Sequence, residues 1–535
     1  MAKTWWRASL VALALLLILP SPGYSQSQAT TGVIEGSVVD PSNAVLPGAT
    51  VAIKNTATNF EKRETTDSSG RFRALLLPLG PYQITVTLPG FSTLVREGVT
   101  LSLGETVTLV LPLQLSGVQQ EVRVTGEAPV IETSRTAGAT RIEEAAVQNL
   151  PSASHNFLDF AKLTPGVSTV QGPDGEEMTI NGQKGINNNV SVDGLDFNNP
   201  FFGEQRGGQR PPFTFNLDAV QEVVVVADGA NAEFGRSSGG FVNVVTKSGT
   251  NDFHGSGHVY YKDDSLAAKP AKRGGGRAEK FNFDRWQAGF TAGGALLQDQ
   301  LFYFLAGDGQ KGTSTKQNDP ARIEQRVVDY FASIGLPNEN APIDRTDDAF
   351  VGLAKFDWHP TDQHLATLRY AYTYAEQKNG TFDVDSWGSS ANAIEKVWSN
   401  TYSGSLISAL SADLANELRG QYSREDRPRP YDGPILSSTG RPLPDTAFDF
   451  ARGYRFGMPY FIPVTYNDTR FQILDNFSIV AGNHSIKIGA EWNRVSSNQT
   501  FIGFANGIWK FSSTQGFLNY TQNPNYVECS GGATS

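Results

Sequence analysis

From about residue 251 onward the chain alternates apolar and polar residues over segments of roughly ten. This is the period-two signature of strands with one face toward an apolar phase and the other toward water. Ala366, Leu368, Tyr370, Tyr372 and Tyr374 share one face, with Thr367, Arg369 and Thr373 on the other. Ile486, Ile488, Ala490 and Trp492 likewise oppose Ser485, Lys487, Glu491 and Asn493. Nine strands are expected, near 253–261, 282–292, 301–310, 349–358, 365–375, 397–407, 416–424, 468–479 and 484–494. Short connections centre on Gly293-Gly294, His359-Pro360, Ser411-Ala412 and Gly482-Asn483; long ones cover 262–281, 311–348, 376–396 and 425–467. Strict alternation of short turns and long loops is what a transmembrane antiparallel β-barrel shows. A soluble sandwich also alternates along its strands, so the connection lengths carry more weight than the alternation.

The earlier part of the chain reads differently. Residues 31–114 hold short strands, among them Val33–Val39, Ala49–Ile53, Gln83–Leu88 and Glu105–Leu113, punctuated by Asp40-Pro41-Ser42-Asn43 and Asp67-Ser68-Ser69-Gly70. That spacing predicts a β-sandwich. Met178–Asn181 and Asn189–Val192 read as strands, and Val192-Asp193-Gly194 as a sharp turn. Glu222-Val223-Val224-Val225-Val226 suits the middle of a sheet covered on both faces. Gly235, Gly239 and Gly240 are expected to let the backbone run close to a barrel wall.

The first residues place the protein outside the cytoplasm. Lys3 and Arg7 precede the apolar run Leu10–Leu19, and Gly23-Tyr24-Ser25 offers a cleavage site before Gln26. This is the layout of a removable export signal, too short for a membrane-spanning helix. Aromatic residues make up 11% of the chain, too many for a disordered one. The net charge of -10 argues against nucleic-acid binding. A lone Cys529 excludes an internal disulfide framework and a multi-cysteine metal site.

No catalytic constellation emerges. None of the six histidines has Glu three residues on, so the paired zinc ligands of a carboxypeptidase are missing. Lys247-Ser248-Gly249 lacks the Ser-x-x-Lys that would make it part of a penicillin-binding signature. The Gly-rich Arg273–Arg277 lacks the helix and Lys-Ser/Thr of a phosphate loop. His254 and His258 share a strand face about 13 Å apart, too far to chelate one metal ion, and are expected to line a lumen. No cofactor and no metal are expected.

Three stretches carry resemblances. "GSVVDPSNAVLPGATV", "TTDSSGRFR" and "LPLGPYQITVTLPGF" resemble the carboxypeptidase regulatory-like domain, a transthyretin-like seven-stranded sandwich related to carbohydrate-binding folds. "LPSASHNFLDFAKLTPGVST" and "MTINGQKGINNNVSVDGLDFNN" resemble the opening helix and central strand pair of a plug domain. "LDAVQEVVVVADGANAEFGRSSGGFVNVVTKSGTNDFHGSGHVYY" is similar to the plug end and first barrel strand of Oar-like TonB-dependent receptors. The resemblance implies a mainly β chain: a signal peptide at 1–25, the sandwich at 31–114 and a linker at 115–149. An α/β plug at 150–250 and the first part of an outer-membrane barrel at 251–535 follow.

It also implies sites and partners. Glu121, Val122, Arg123, Val124 and Thr125 resemble the TonB box, an unpaired strand offered to a TonB-type periplasmic energy-coupling protein by β-augmentation; an ordinary connecting strand is the other reading. Plug-apex loops at 172–177 and 201–212 would meet the ligand, with Phe201, Phe202, Arg206 and Arg210 as contact candidates. Glu233 and Arg236 are candidate latches between plug and barrel. The expected function is energised uptake of a bulky solute (siderophore, oligosaccharide or peptide) across the outer membrane lipid. A non-transporting adhesin or glycan-binding surface protein is the alternative. Plugged transporter barrels have about 22 strands and an open sheet is not viable in lipid, so the sequence is expected to be the N-terminal half of a chain about twice as long.

Overall fold

The computed structural model describes residues 30–116, 121–125, 138–152, 155–172, 175–203, 206, 216–230, 232–269, 280–316, 323–380, 388–411, 413–448, 455–482 and 484–526. The expected signal segment, Arg210 and Cys529 lie outside them.

The N-terminal unit comprises β1 (Gly32–Val39), β2 (Thr50–Asn55), β3 (Glu61–Thr65), β4 (Arg71–Leu77), β5 (Gly80–Thr87), β6 (Thr93–Leu101) and β7 (Thr106–Pro112). β4-β1-β7 form one sheet and β3-β2-β5-β6 most of the other. Alternate residues Val51, Ile53, Ile84 and Val86 meet Ile34, Phe72 and Leu109 in the core between them. Burying each such side chain contributes roughly 1.5–3 kcal/mol. The predicted linker is not free chain. β8 (Glu121–Thr125) joins this second sheet at its rim, parallel to β6, with Thr93 opposite Glu121 and Glu97 opposite Thr125. β9 (Gly138–Glu143) belongs instead to the plug, at the edge of its sheet.

In the plug, β10 (Val167–Gly172) and β11 (Gly175–Ile180) pair with each other. β12 (Asn189–Val192), β13 (Leu195–Asp196), β14 (Val220–Asp228) and β15 (Phe241–Thr246) complete a five-stranded sheet in the order β13-β12-β15-β14-β9. The two segments read as a central pair therefore fall in different sheets: β12 runs parallel to β15. Strand β14 is an interior strand but not the central one, which is β15; Val223 and Val225 are fully buried and Val224 only partly. Short helices Glu144–Asn149 and Phe157–Ala161 cover the sheet, the second capped by the Asn156 side chain accepting from the Leu158 N–H.

All nine expected barrel strands are present, most of them longer than the pattern suggested. They are β16 (His254–Asp263), β17 (Phe283–Leu297), β18 (Leu301–Lys316), with β19 (Ile343–Thr346) an extra short strand on β18, then β20 (Asp348–Thr361), β21 (His364–Gln377), β22 (Glu395–Ala409) and β23 (Leu414–Arg429). Loop strands β24 (Ile435–Leu436), β25 (Arg441–Pro442), β26 (Asp445–Phe448) and β27 (Arg455–Phe456) precede β28 (Val464–Ala481) and β29 (His484–Phe501); β30 (Ile508–Phe511) follows. The nine long strands form one antiparallel meander in chain order. Gly293-Gly294 and His359-Pro360 lie inside β17 and β20, so those two turns sit a few residues later than expected. The alternation of short turns and long loops is unaffected. Among the described residues no helix is long and apolar enough to cross a membrane.

Burial across this sheet is inverted relative to a soluble protein. Leu368, Trp358, Phe290, Ile488 and Trp492 are exposed, whereas Arg369, Asp357, Asp308 and Arg470 are buried. An exposed apolar band over a polar interior is the arrangement of a barrel wall in hydrocarbon. The long loops build a second small core on the other side, where Phe331 of the helix Gln325–Ser333 meets Phe456 and Phe517. On the short-turn side, Val33, Leu75 and Leu76 of the sandwich pack against Ile407 and Ala415 of the wall. The sandwich also meets the plug: the Leu103 N–H donates to Glu222 at 3.0 Å, and Arg141 of β9 donates to the Leu103 carbonyl at 2.9 Å.

Candidate functional site at the plug and barrel wall

The plug is fastened to the wall by charged side chains projecting from the polar face of the barrel strands. At the turn between β12 and β13, Asp193 takes a left-handed backbone (φ 49°), which lets the chain reverse before Gly194. Its carboxylate accepts from the Thr246 N–H and hydroxyl, each at 2.8 Å, and pairs with Arg369 on β21. Burial works against the charged form, but Arg369, Lys355 and Thr246 outweigh it and hold the carboxyl below its usual range.

Asp196, three residues on, is the centre of a second knot. Arg470 on β28, 1% exposed, pairs with its carboxylate at 3.0 Å. The same guanidinium donates to the carbonyls of Asp196 and Asn198 at 3.0 and 3.1 Å. Gln421 donates to the Asp196 carbonyl at 2.9 Å, and the Asp196 N–H donates to Gln472 at 3.1 Å. A third tie follows at Glu425 on β23, which accepts from Asn199 at 2.7 Å and pairs with Arg206 at 2.6 Å. On the far side of the plug, His258 of β16 stands between Asp218 of the plug (2.8 Å) and Asp308 of β18 (3.2 Å).

The predicted residues divide accordingly. Glu233 forms an ion pair with Lys487 on β29, so this candidate latch reaches the wall. Arg236 does so only indirectly, through the plug's own Asp196. Arg206 is buried and committed to Glu425, which puts it in the plug–wall contact and not on an open apical surface. Phe202 lies beneath Arg427, whose guanidinium stands 5.4 Å from its ring. Phe201 is 46% exposed and packs edge-on against Phe202, leaving it the most open of the described apex candidates. Arg210 lies outside the described residues. Strand Glu121–Thr125 is not unpaired: it is hydrogen-bonded to β6 on one side, with the other side at the sheet's rim.

Close backbone approach falls on different glycines from those expected. A Cβ on Gly235 would meet nothing within 4 Å, and one on Gly240 would meet Ile180 and Val226 of the plug itself. The glycine against the wall is Gly249, where a Cβ would stand 2.3 Å from the Tyr303 carbonyl and 2.6 Å from that of Gly294. Asp196, Asp218, Glu425 and Arg470 were not singled out from sequence, and Asp193 and Arg369 were read only as a turn residue and a residue of a polar strand face. The available signal was a charge between large apolar neighbours on a barrel strand, which identifies a lumen residue but not its partner.

These ties are ion pairs of largely buried side chains. Withdrawing one partner into an apolar place would leave a buried charge uncompensated, at roughly 3–5 kcal/mol.

The comparisons agree with this architecture. The family description "Carboxypeptidase regulatory-like domain" matches residues 33–114, "TonB-dependent Receptor Plug Domain" residues 132–242, and "Outer membrane beta barrel domain" residues 245–321 and 312–530. The TonB-dependent transporter Oar of Myxococcus xanthus is 27% identical over 423 residues, covering 75% of this chain and 37% of that protein. A probable TonB-dependent siderophore receptor, PirA of Acinetobacter baumannii, is 25% identical over 374 residues, covering 65% of this chain and 45% of that protein. The chain thus spans less than half the length of these curated relatives. The outer membrane transporter YddB of Escherichia coli superposes with a TM-score of 0.49 at 13% identity, over 68% of this chain and 48% of that one. With a plug and a barrel domain both matched and their contact described, the chain belongs to the TonB-dependent outer-membrane receptors, preceded by a carboxypeptidase regulatory-like domain.

Proposed function

We propose that the protein takes part in energised uptake of a bulky solute through a plugged outer-membrane barrel, reached after export by a cleaved signal at residues 1–25. The observation that carries this reading is the plug itself, tied to the wall by ion pairs at Asp193, Asp196, Arg206 and Glu233. A sealed lumen conducts only when work is done on the seal. Strand β8 is where that work is applied: its open edge accepts a strand of a TonB-type energy-coupling protein, and its position between sandwich and plug carries the pull to both. Siderophore, oligosaccharide and peptide are the cargo classes to test, and no catalytic role is assigned.

The test is Val122→Pro with Val124→Pro, since proline removes backbone N–H groups and blocks strand addition. Cells carrying the pair should bind ligand at the surface and fail to accumulate it. Unchanged uptake would sink the role of this strand. Surface binding with no uptake in either form would favour the adhesin reading.

A further inference from the structure

Strand β4 breaks its own alternation. Ala74 and Leu77 both lie in the sandwich core, although residues three apart on a regular strand face opposite sides. The ladder to β1 shows why: Gly32 pairs with Leu77 and Ile34 with Ala74, so Leu75 and Leu76 together stand opposite the single Val33. This is a β-bulge, a device that re-aims side chains. Leu76 takes a left-handed backbone (φ 54°), which for a bulky residue persists only where its surroundings enforce it. The product is an apolar knob of Val33, Leu75 and Leu76, buried against Ile407 of β22 and Ala415 of β23.

The knob is one of three holds. Nearer the start of the barrel, the Asn251 N–H donates to the Ala57 carbonyl at 3.0 Å and the Asn59 amide donates to Asp299 at 2.7 Å. Phe60 meets His359 of β20 edge-on, with ring centres 5.4 Å apart. The third hold is on the plug. Leu103, in the turn between β6 and β7, donates to Glu222 of β14 at 3.0 Å and accepts from Arg141 of β9 at 2.9 Å, and these two side chains pair with each other at 2.9 Å. The turn is braced: the Ser102 N–H donates to the Glu105 carboxylate at 2.9 Å, and the N–H of Val33, a knob residue, donates to the Glu105 carbonyl at 2.8 Å. The hold on the wall and the hold on the plug are therefore joined by one hydrogen bond inside the sandwich.

We propose that the sandwich is an autoinhibitory clasp, which fixes plug strands β9 and β14 to the wall until the leucine knob leaves its seat. Strand β8 pairs with β6, and Leu103 follows the end of β6 by two residues, so a pull on β8 reaches the turn that grips the plug through a single ladder. Release by that pull rests on the uptake reading above; the clasp itself does not.

The experiment is hydrogen exchange of the detergent-solubilised full chain, resolved to single amides by mass spectrometry. The Asn251 N–H, bonded to the sandwich, reports release of the clasp, and the 222–226 amides of β14 report opening of the plug. Leu76→Gly removes a knob side chain and suits the left-handed backbone, which favours a folded sandwich. Ile407→Ser spoils the seat from the wall side, leaves the sandwich sequence intact and decides the question should Leu76→Gly fail to fold. In each variant exchange at Asn251 and at β14 should rise together, by about fivefold or more, because release and opening are one step, with the β17–β18 ladder unchanged. A faster Asn251 with β14 unchanged, or no change at either site, overturns the proposal. Either result leaves the uptake reading standing, since exchange needs neither cargo nor energy. Unchanged uptake in the Val122→Pro, Val124→Pro pair would remove the pull at β8 and leave the clasp.

Discussion

Replacing Arg470 with Met is the sharpest probe of the plug–wall seal. Met matches the length of the apolar stem, so the packing loss is small and the effect is electrostatic. The guanidinium serves the Asp196 carboxylate and the carbonyls of Asp196 and Asn198. After substitution Asp196 keeps Arg236 and its carbonyl keeps Gln421, so neither is fully orphaned. The Asn198 carbonyl loses its wall donor, and one buried unsatisfied group costs about 1–3 kcal/mol. Weakening of the carboxylate pair adds to this but stays below the roughly 3–5 kcal/mol of a fully broken buried pair. A total near 3 kcal/mol is expected, or about a 150-fold rise in local opening, since 1.4 kcal/mol is tenfold. Hydrogen exchange of the 195–199 amides, followed by mass spectrometry in detergent, reads this directly. The rise should be confined to the plug, with β21–β23 unchanged. A rise below fivefold, or one spread equally over the barrel strands, would show that Arg470 is not a principal tie.

Three further outcomes are expected. Gly249→Ala should destabilise the plug–wall junction by about 1–3 kcal/mol, because the carbonyls of Tyr303 and Gly294 cannot yield as a flexible side chain would, whereas Gly235→Ala should stay within about 0.5 kcal/mol; thermal melting of the two variants compares them. Leu368→Arg should cost about 2–4 kcal/mol in vesicle-refolding titrations if its exposed side chain faces hydrocarbon, and a neutral result would mean that face is wet. At the sandwich–plug contact, burial pushes Glu222 up from 4.5 to about 7 despite Arg141 and the Leu103 N–H. Because the folded state holds the proton more tightly than the unfolded one, stability should increase as pH falls from about 7 toward 4.5 and be lowest above 7. Protection of the Leu103 amide should follow that trend, and Glu222→Gln should flatten it.

What was legible in the sequence is what repeats along it. Period-two alternation gave all nine barrel strands, because one face meets lipid and the other the lumen over the whole strand. The unbroken Val223–Val226 run marked an interior strand of the plug sheet, although the central place belongs to β15 and Val224 is only partly covered. Turn positions were less secure: ladder pairing carries β17 through Gly293-Gly294, and β20 runs on to Thr361 across a register shift at His359-Pro360.

Pairings between distant segments were not legible. Asp196 and Arg470 are 274 residues apart, Glu233 and Lys487 254, and Asp193 and Arg369 176, and no local pattern says which lumenal charge meets which plug residue. The same holds for β8, whose sequence is an extended strand in either setting and whose partner is chosen by the free edge of the sandwich. By itself the sequence determined the strands, their faces and the order of the domains, since these follow from nearest-neighbour chemistry along the chain. Only the tertiary structure decided which glycine meets the wall and which arginine ties the plug to it, since those depend on what folding brings opposite them.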